Sequence, residues 1–196
     1  MPDNQPDEGN MREDYDAILK RADLIVDQAE VEHALDAMAA DISRDLGEHD
    51  PVVLSVMVGG LLPTAWLLER LAFPLQLDYI HATRYRGGTR GVAELEWVVR
   101  PRTSLRGRNV LVVDDILDEG YTLAAILEEC LDRGADQVKC AVLVDKQHPR
   151  RYKNLQADYV GLRLEDRYLI GCGMDYHEHH RQHRAIYALA PEDDHG

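Results

Sequence analysis

Nothing in this chain of 196 residues approaches the ~20 consecutive apolar residues that a membrane-spanning helix needs. The opening stretch, Met1-Pro-Asp-Asn-Gln-Pro-Asp-Glu8, lacks both the basic and the apolar segments of a secretory signal. Its polar composition predicts a flexible acidic lead-in over residues 1–16, and residues 191–196 read as a short tail. Cysteine is scarce. Cys130, Cys140 and Cys172 show no Cys-x-x-Cys spacing, and the first two fall in predicted core elements, so free buried thiols in a reducing cytoplasm are expected instead of a disulfide framework. Basic residues are outnumbered, 22 against 36 acidic ones, for a net charge of −14. That balance argues against broad electrostatic attachment to nucleic acid or to an anionic membrane. No internal repeat is present.

What remains suits one globular domain over residues 17–190, with room for a small accessory lobe. Val31, Ala34, Leu35, Met38, Ile42 and Leu46 recur at helical spacing, which predicts an amphipathic helix over 30–46. A buried strand is expected over Val52–Val58 and a helix over Leu61–Ala72, with Pro63 tolerable only in the first turn. Leu75–His81 and Glu94–Val99 flank an Arg- and Gly-rich stretch and read as an antiparallel hairpin with a long loop. Leu123–Arg133 reads as a helix closed by Gly134, followed by a strand over Gln137–Val144. Tyr159–Leu164 and Tyr168–Ile170 read as short strands, and residues 176–196 as mostly irregular. Strand, helix and strand in this order point to a parallel α/β sheet.

The most informative stretch is Val110-Leu-Val-Val-Asp-Asp-Ile-Leu-Asp-Glu-Gly-Tyr-Thr-Leu123. An apolar strand ends in Asp114 and Asp115, a loop carries Asp118 and Gly120, and a helical pattern opens near Thr122. Ligands bind open α/β sheets at the carboxyl ends of strands, and free N–H groups at a helix start form an anion site. Carboxylates beside such a site can accept from vicinal sugar hydroxyls or help hold Mg²⁺, and a third can act as general base. Phosphate, ribose and a proton transfer together suggest a phosphoribosyl substrate. Acids and glycine after a strand are also ordinary turn chemistry.

This run resembles the diphosphate-sugar signature of the type I phosphoribosyltransferases, closest to their hypoxanthine-guanine branch. The resemblance spans roughly residues 50–190, and further segments match in the family's order. Val56-Met-Val-Gly-Gly60 looks like its pyrophosphate loop, Arg84-Tyr-Arg-Gly-Gly-Thr89 like its closing flap, and Leu143-Val-Asp-Lys146 like its purine-contact strand. Tyr168-Leu-Ile-Gly-Cys-Gly-Met-Asp-Tyr176, with Arg181 after it, looks like the segment completing the base and pyrophosphate sites.

The implied fold is α/β: the phosphoribosyltransferase fold, a parallel sheet flanked by helices with a small hood from terminal segments. The implied reaction transfers phosphoribosyl from 5-phosphoribosyl 1-diphosphate (PRPP) to hypoxanthine or guanine, with Mg²⁺ as cofactor, in a homodimer or homotetramer. By the same resemblance Asp118 is the catalytic base, and Asp114, Asp115, Ile116, Leu117, Glu119, Gly120, Tyr121 and Thr122 hold ribose and phosphate. Gly59, Gly60 and Arg181 bind pyrophosphate, Arg84 and Tyr85 lie on the flap, and Lys146, Tyr168 and Leu169 contact the purine. Asp114, Asp115 and Asp175 are the metal-side carboxylates. The Val58–Gly59 bond is a candidate non-proline cis peptide.

Each residue has a plainer reading. Gly59-Gly60 can be an ordinary strand-to-helix turn, and Lys146 a solvated strand end. Tyr168 can be core, and Arg84, Asp175 and Arg181 ordinary surface charges. Three positions depart from the family pattern. Gly59 stands where lysine is frequent, Arg84 where serine is, and Glu119 where a small hydroxyl residue is; the Glu119 side chain is expected to turn outward. His177-Glu-His-His180 with His183 misses the His-Glu-x-x-His zinc spacing, because Arg181 takes the last position, so a polar surface segment is expected. An RNA-binding regulator on the same fold is the reading from a different class, and the negative charge disfavours it. Xanthine and adenine transferases also remain, with Lys146 arguing against adenine.

Overall fold

The structure, a computed structural model, describes residues 8–84 and 95–194. In chain order the elements are α1 (Glu8–Arg21), β1 (Asp23–Val26), α2 (Gln28–Leu46), β2 (Val52–Val56), α3 (Leu61–Leu68), β3 (Gln76–Arg84) and β4 (Leu95–Val99), then β5 (Asn109–Leu117), α4 (Tyr121–Asp132), β6 (Gln137–Gln147), β7 (Tyr159–Glu165), β8 (Leu169–Ile170) and β9 (Ile186–Ala188). A six-stranded sheet runs in the order β4-β3-β2-β5-β6-β7. All its pairings are parallel except β3–β4. This is the α/β phosphoribosyltransferase architecture that the sequence implied.

The central strands are buried on both faces, which is why they read as continuous apolar runs rather than as alternating ones. Val53, Leu111, Val113, Ala141 and Leu143 pack against Leu35, Met38 and Ile42 of α2 and Leu67 of α3. The alternate residues, Val52, Leu54, Val110, Val112 and Val142, pack on the other face against Leu123, Ile126 and Cys130 of α4. Each such buried aliphatic side chain contributes about 1.5–3 kcal/mol. Truncating Leu111, which is fully buried at the centre, to alanine would cost about 2–5 kcal/mol.

Local chemistry sets the element ends. Asp27 caps α2 reciprocally with Glu30: its carboxylate accepts from the Glu30 N–H at 2.9 Å, and the Glu30 carboxylate accepts from the Asp27 N–H at 3.0 Å. α3 stops at Leu68, short of the expected Ala72, where the Arg70 and Leu71 N–H groups bond three residues back, to the Leu67 and Leu68 carbonyls. β2 ends at Val56, and the cis peptide lies between Met57 and Val58, one bond earlier than expected. β6 runs three residues past the expected Val144, to Gln147.

The hood is a three-stranded antiparallel sheet, β1-β9-β8. Neither β1 nor β9 was read from the sequence, and β9 lies in the stretch expected to be irregular. Helix α1 begins inside the segment expected to be a flexible lead-in. Its Ile18 packs with Ile170 and Leu189 of the hood, and Arg21 binds Asp193 through two hydrogen bonds of 2.9 and 2.6 Å.

Candidate active site

From β2 the chain passes to β3 on one side of the sheet, while β5 takes the other side. The loops after β2 and β5 therefore diverge, and a crevice opens above the strand ends, the usual ligand position in such sheets. A cavity of about 550 Å³ fills it, lined by Gly59, Asp114 to Gly120, Thr122, Asp175 and Arg181 among others. A second hollow of about 240 Å³ adjoins it and is lined by Lys146, Tyr168, Leu169 and Met174. Asp115, Ile116, Asp118 and Asp175 line both. Most of the sequence-predicted residues are thus brought together. Gly60 is buried behind the loop as the N-cap of α3. Tyr121 is exposed and packs its ring 4.5 Å from that of Tyr152. Arg84 ends β3, and Tyr85 lies outside the described residues.

The floor of the large cavity is backbone-tight. A Cβ on Gly59 would lie 2.1 Å from Asp115 Oδ2, and one on Gly173 (φ +105°) would lie 2.1 Å from the Gly59 carbonyl oxygen. Only glycine lets the β2–α3 loop, the acid pair and the hood segment meet there. At the other rim Gly120, with φ +85°, caps α4 in the left-handed conformation. The first N–H groups of that helix, which have no acceptor within the helix, open on the cavity. Glu119 is half-buried at the lining, and its carbonyl accepts from the Tyr152 N–H at 2.8 Å.

The three carboxylates differ in electrostatics. Burial, and then the charge of Asp115, hold the Asp114 carboxyl well above the usual carboxylate range. Burial also raises Asp115, although its hydrogen bonds with Asp114 and the Ile116 N–H, and the charge of Arg181, work against that rise. Asp118 moves the other way. Burial pushes it up, but Lys146 and His148 bring it below the usual range. Lys146 Nζ donates to Asp118 Oδ2 at 2.9 Å, and His148 Nε2 lies 2.7 Å from Asp118 Oδ1.

Two acids held close and largely buried call for positive charge, and that donor set fits a hard divalent cation. Asp175 faces the same cavity; its Oδ1 pairs with Arg181 at 2.7 Å and its Oδ2 accepts from the Glu178 N–H at 2.8 Å. Asp118, His148 and Asp166 also lie close enough to share an ion. There, however, Lys146 Nζ already supplies the positive charge, 2.9 Å from Asp118 and 3.5 Å from Asp166.

The His177–His183 segment is the expected polar surface stretch at His177, Glu178 and His179, which are exposed, and departs from it at His180. His180 is buried, with Nδ1 3.1 Å from His183 Nε2 and Nε2 3.1 Å from the Tyr15 carbonyl, and His179 stacks on Tyr15 at 3.8 Å. These histidines hold the hood against α1, and among the described residues they join no group suited to a metal. Cys130, Cys140 and Cys172 are free and buried, and burial pushes each thiol up to about 12.

A phosphoribosyl transferase domain model matches residues 22–177. The chain belongs to the phosphoribosyl transferase family. Similar members include a hypoxanthine-guanine phosphoribosyltransferase of Staphylococcus epidermidis, 28% identical over 169 residues, covering 86% of this chain and 94% of the relative. Among solved structures, a hypoxanthine phosphoribosyltransferase from Staphylococcus aureus superposes with a TM-score of 0.85 at 25% identity, covering 92% of this chain and 98% of that one. A hypoxanthine-guanine phosphoribosyltransferase from Bacillus anthracis gives a TM-score of 0.78 at 26% identity, covering 86% and 97%. The family match takes in the acid pair, Asp118, Lys146 and Asp175 and ends before Arg181.

Sequence reasoning passed over His148 and Asp166, which complete the surroundings of Asp118 and Lys146. A signal existed for His148. It stands two residues after Lys146, and in extended chain residues i and i+2 point the same way.

Proposed function

We propose that this phosphoribosyl transferase salvages 6-oxopurines, joining hypoxanthine or guanine to PRPP to give IMP or GMP and pyrophosphate. The observation that carries this is the shared wall of the two hollows. Asp118 and Asp115 stand between a cavity with an acid pair and a helix N-terminus and a smaller one with Lys146 and Tyr168. Sugar and phosphate chemistry meets base chemistry at one carboxylate.

In this reading the start of α4 and the loop from Ile116 to Thr122 cradle the 5′-phosphate. Asp114 and Asp115 accept from the ribose hydroxyls, and Gly59 and Arg181 receive the pyrophosphate, with Gly60 shaping the loop from behind. Tyr168 stacks on the purine, Leu169 offers backbone groups to its edge, and Lys146 donates to the exocyclic O6. Purine N9 bonds to the anomeric carbon as the bond to the diphosphate oxygen breaks, and the N7 proton passes to Asp118. Carboxylates around the sugar stabilise its cationic character. A Mg²⁺ ion held by Asp114, Asp115 and Asp175 would neutralise the departing diphosphate. Exclusion of water from the reacting centre is the role proposed for the flap that carries Arg84 and Tyr85.

We further propose one domain over residues 17–190 working in the cytoplasm, where free thiols such as these persist. We propose a homodimer or homotetramer joined through an apolar hollow walled by Leu61, Leu68, Leu77 and Tyr79. Leu61, Leu77 and Tyr79 are strongly exposed. Light scattering of the purified chain tests the assembly. A spectrophotometric assay of hypoxanthine, guanine, xanthine and adenine with PRPP and Mg²⁺ tests the activity. Consumption of a 6-oxopurine only with donor and metal is expected. Turnover confined to adenine, or none with any purine, would overturn the reading.

A further inference from the structure

We propose that His148 is the positioning residue of the base: it holds Asp118 in place when Lys146 turns from that carboxylate to the purine. The inference rests on the base and purine roles proposed above for Asp118 and Lys146.

The two oxygens of Asp118 have separate partners. Oδ2 accepts from Lys146 Nζ at 2.9 Å, and Oδ1 meets His148 Nε2 at 2.7 Å. The tautomer of His148 follows from its other nitrogen. The backbone N–H of Arg150 donates to Nδ1 at 3.1 Å, so Nδ1 carries a lone pair. The proton of the neutral ring therefore sits on Nε2 and points at Asp118. Arg150 is itself tied to Asp166 by bonds of 2.7 and 3.1 Å, and Asp166 lies 3.5 Å from Lys146 Nζ. The contacts close a ring through Asp118, His148, Arg150, Asp166 and Lys146.

The two partners of the base differ in freedom. Lys146 lines the 240 Å³ hollow and reaches it with a flexible four-carbon stem. The His148 side chain is only 1% exposed and lines neither hollow. A purine entering the hollow can draw Lys146 Nζ toward its O6, which loosens the contact to Oδ2. Nothing comparable draws His148 from Oδ1. Oδ2 is then free to receive the N7 proton, while Oδ1 stays fixed. Without His148 the carboxylate would turn about its side-chain bonds when Lys146 leaves, and the proton transfer would lose its geometry.

The test compares single-turnover nucleotide formation from hypoxanthine, PRPP and Mg²⁺ in wild type, His148→Ala and His148→Gln. His148→Ala should slow the chemical step by about 10- to 100-fold, the worth of one charge-assisted hydrogen bond, with donor affinity by calorimetry nearly unchanged. His148→Gln, whose amide N–H can reach the same oxygen, should recover most of the rate. In an Asp118→Asn background His148→Ala should cost less than about twofold, because its effect runs through the carboxylate. Loss of equal size in both backgrounds, loss confined to donor affinity, or an alanine variant as fast as wild type would each overturn the proposal. Nitrogen-15 spectra of the imidazoles read the tautomer without turnover. An Nδ1-protonated His148 would overturn the proposal whichever base the enzyme uses, whereas failure of wild type on every purine would overturn the substrate reading.

Discussion

Asp118→Asn keeps the size of the side chain and removes its basicity. If Asp118 takes the N7 proton, turnover should fall by ~10²–10⁴, the usual worth of a positioned base. That is a barrier increase of about 2.7–5.5 kcal/mol. The structural cost should be much smaller. The wild-type carboxylate accepts from both Lys146 and His148, and an amide can offer its oxygen to only one of them. The Asp118 side chain is 42% exposed, so solvent screens the lost pairing, and about 1 kcal/mol is a fair ceiling. For a chain of this size that is a melting temperature lower by roughly 2–4 °C. The pH dependence has a definite sign. Lys146 and His148 hold Asp118 below the usual carboxylate range. Its contribution to stability is therefore complete above the ordinary carboxylate value of about 4 and is lost as pH falls below it toward the lowered folded value. The gap in melting temperature between wild type and variant should be open at pH 7 and close on acidification. Donor affinity should hardly move, since Asp118 accepts no hydrogen bond from the donor in this scheme. Turnover within about threefold of wild type, with the melting shift present, would refute the base assignment and leave Asp118 as a purely structural acid.

Three further outcomes follow from the same geometry. Asp115→Ala should weaken PRPP and nucleotide binding by about 10-fold or more while sparing free-purine recognition; unchanged donor affinity by calorimetry would assign Asp115 a structural role. Lys146→Met should lower kcat/KM for hypoxanthine and guanine by roughly 10-fold or more and narrow the preference over adenine, measured as the ratio of kcat/KM values in both proteins. Gly59→Ala places a methyl 2.1 Å from Asp115 Oδ2; it should cost about 1–3 kcal/mol by denaturant melts and weaken donor binding at the same time, because Asp115 must yield.

The sheet was legible because its central strands need both faces apolar, and Val110–Val113 can hardly be anything else. The cavity was legible because its acids follow such a strand directly, so position along the chain became position in space. The hood was not. β1 and β9 have four and three residues, too few for any period to appear, and they pair across about 160 residues of intervening chain. The burial of His180 was hidden for a related reason: what covers it is Tyr15, a residue that no local pattern connects to it. The ring through His148, Arg150 and Asp166 depends on the turn after β6, and a loop of charged residues reads equally well as solvated surface.

The pairing of β1 with β9 has a consequence for how the chain is made. Residues 23–26 leave the ribosome some 160 residues before their partners at 186–188. At typical synthesis rates of about 5–20 residues per second, β1 waits unpaired for roughly ten to thirty seconds. The six-stranded sheet, complete by Glu165, can form in that interval. Tyr168, Asp175 and Arg181 emerge only after that sheet. A nascent chain released at about residue 165 would thus carry the acid pair, Asp118 and Lys146 on a finished sheet, with neither Tyr168 nor Arg181, which line the two hollows beside them. In the proposed scheme, catalytic competence waits on the pairing of β1 with β9, when these two distant stretches of chain find each other.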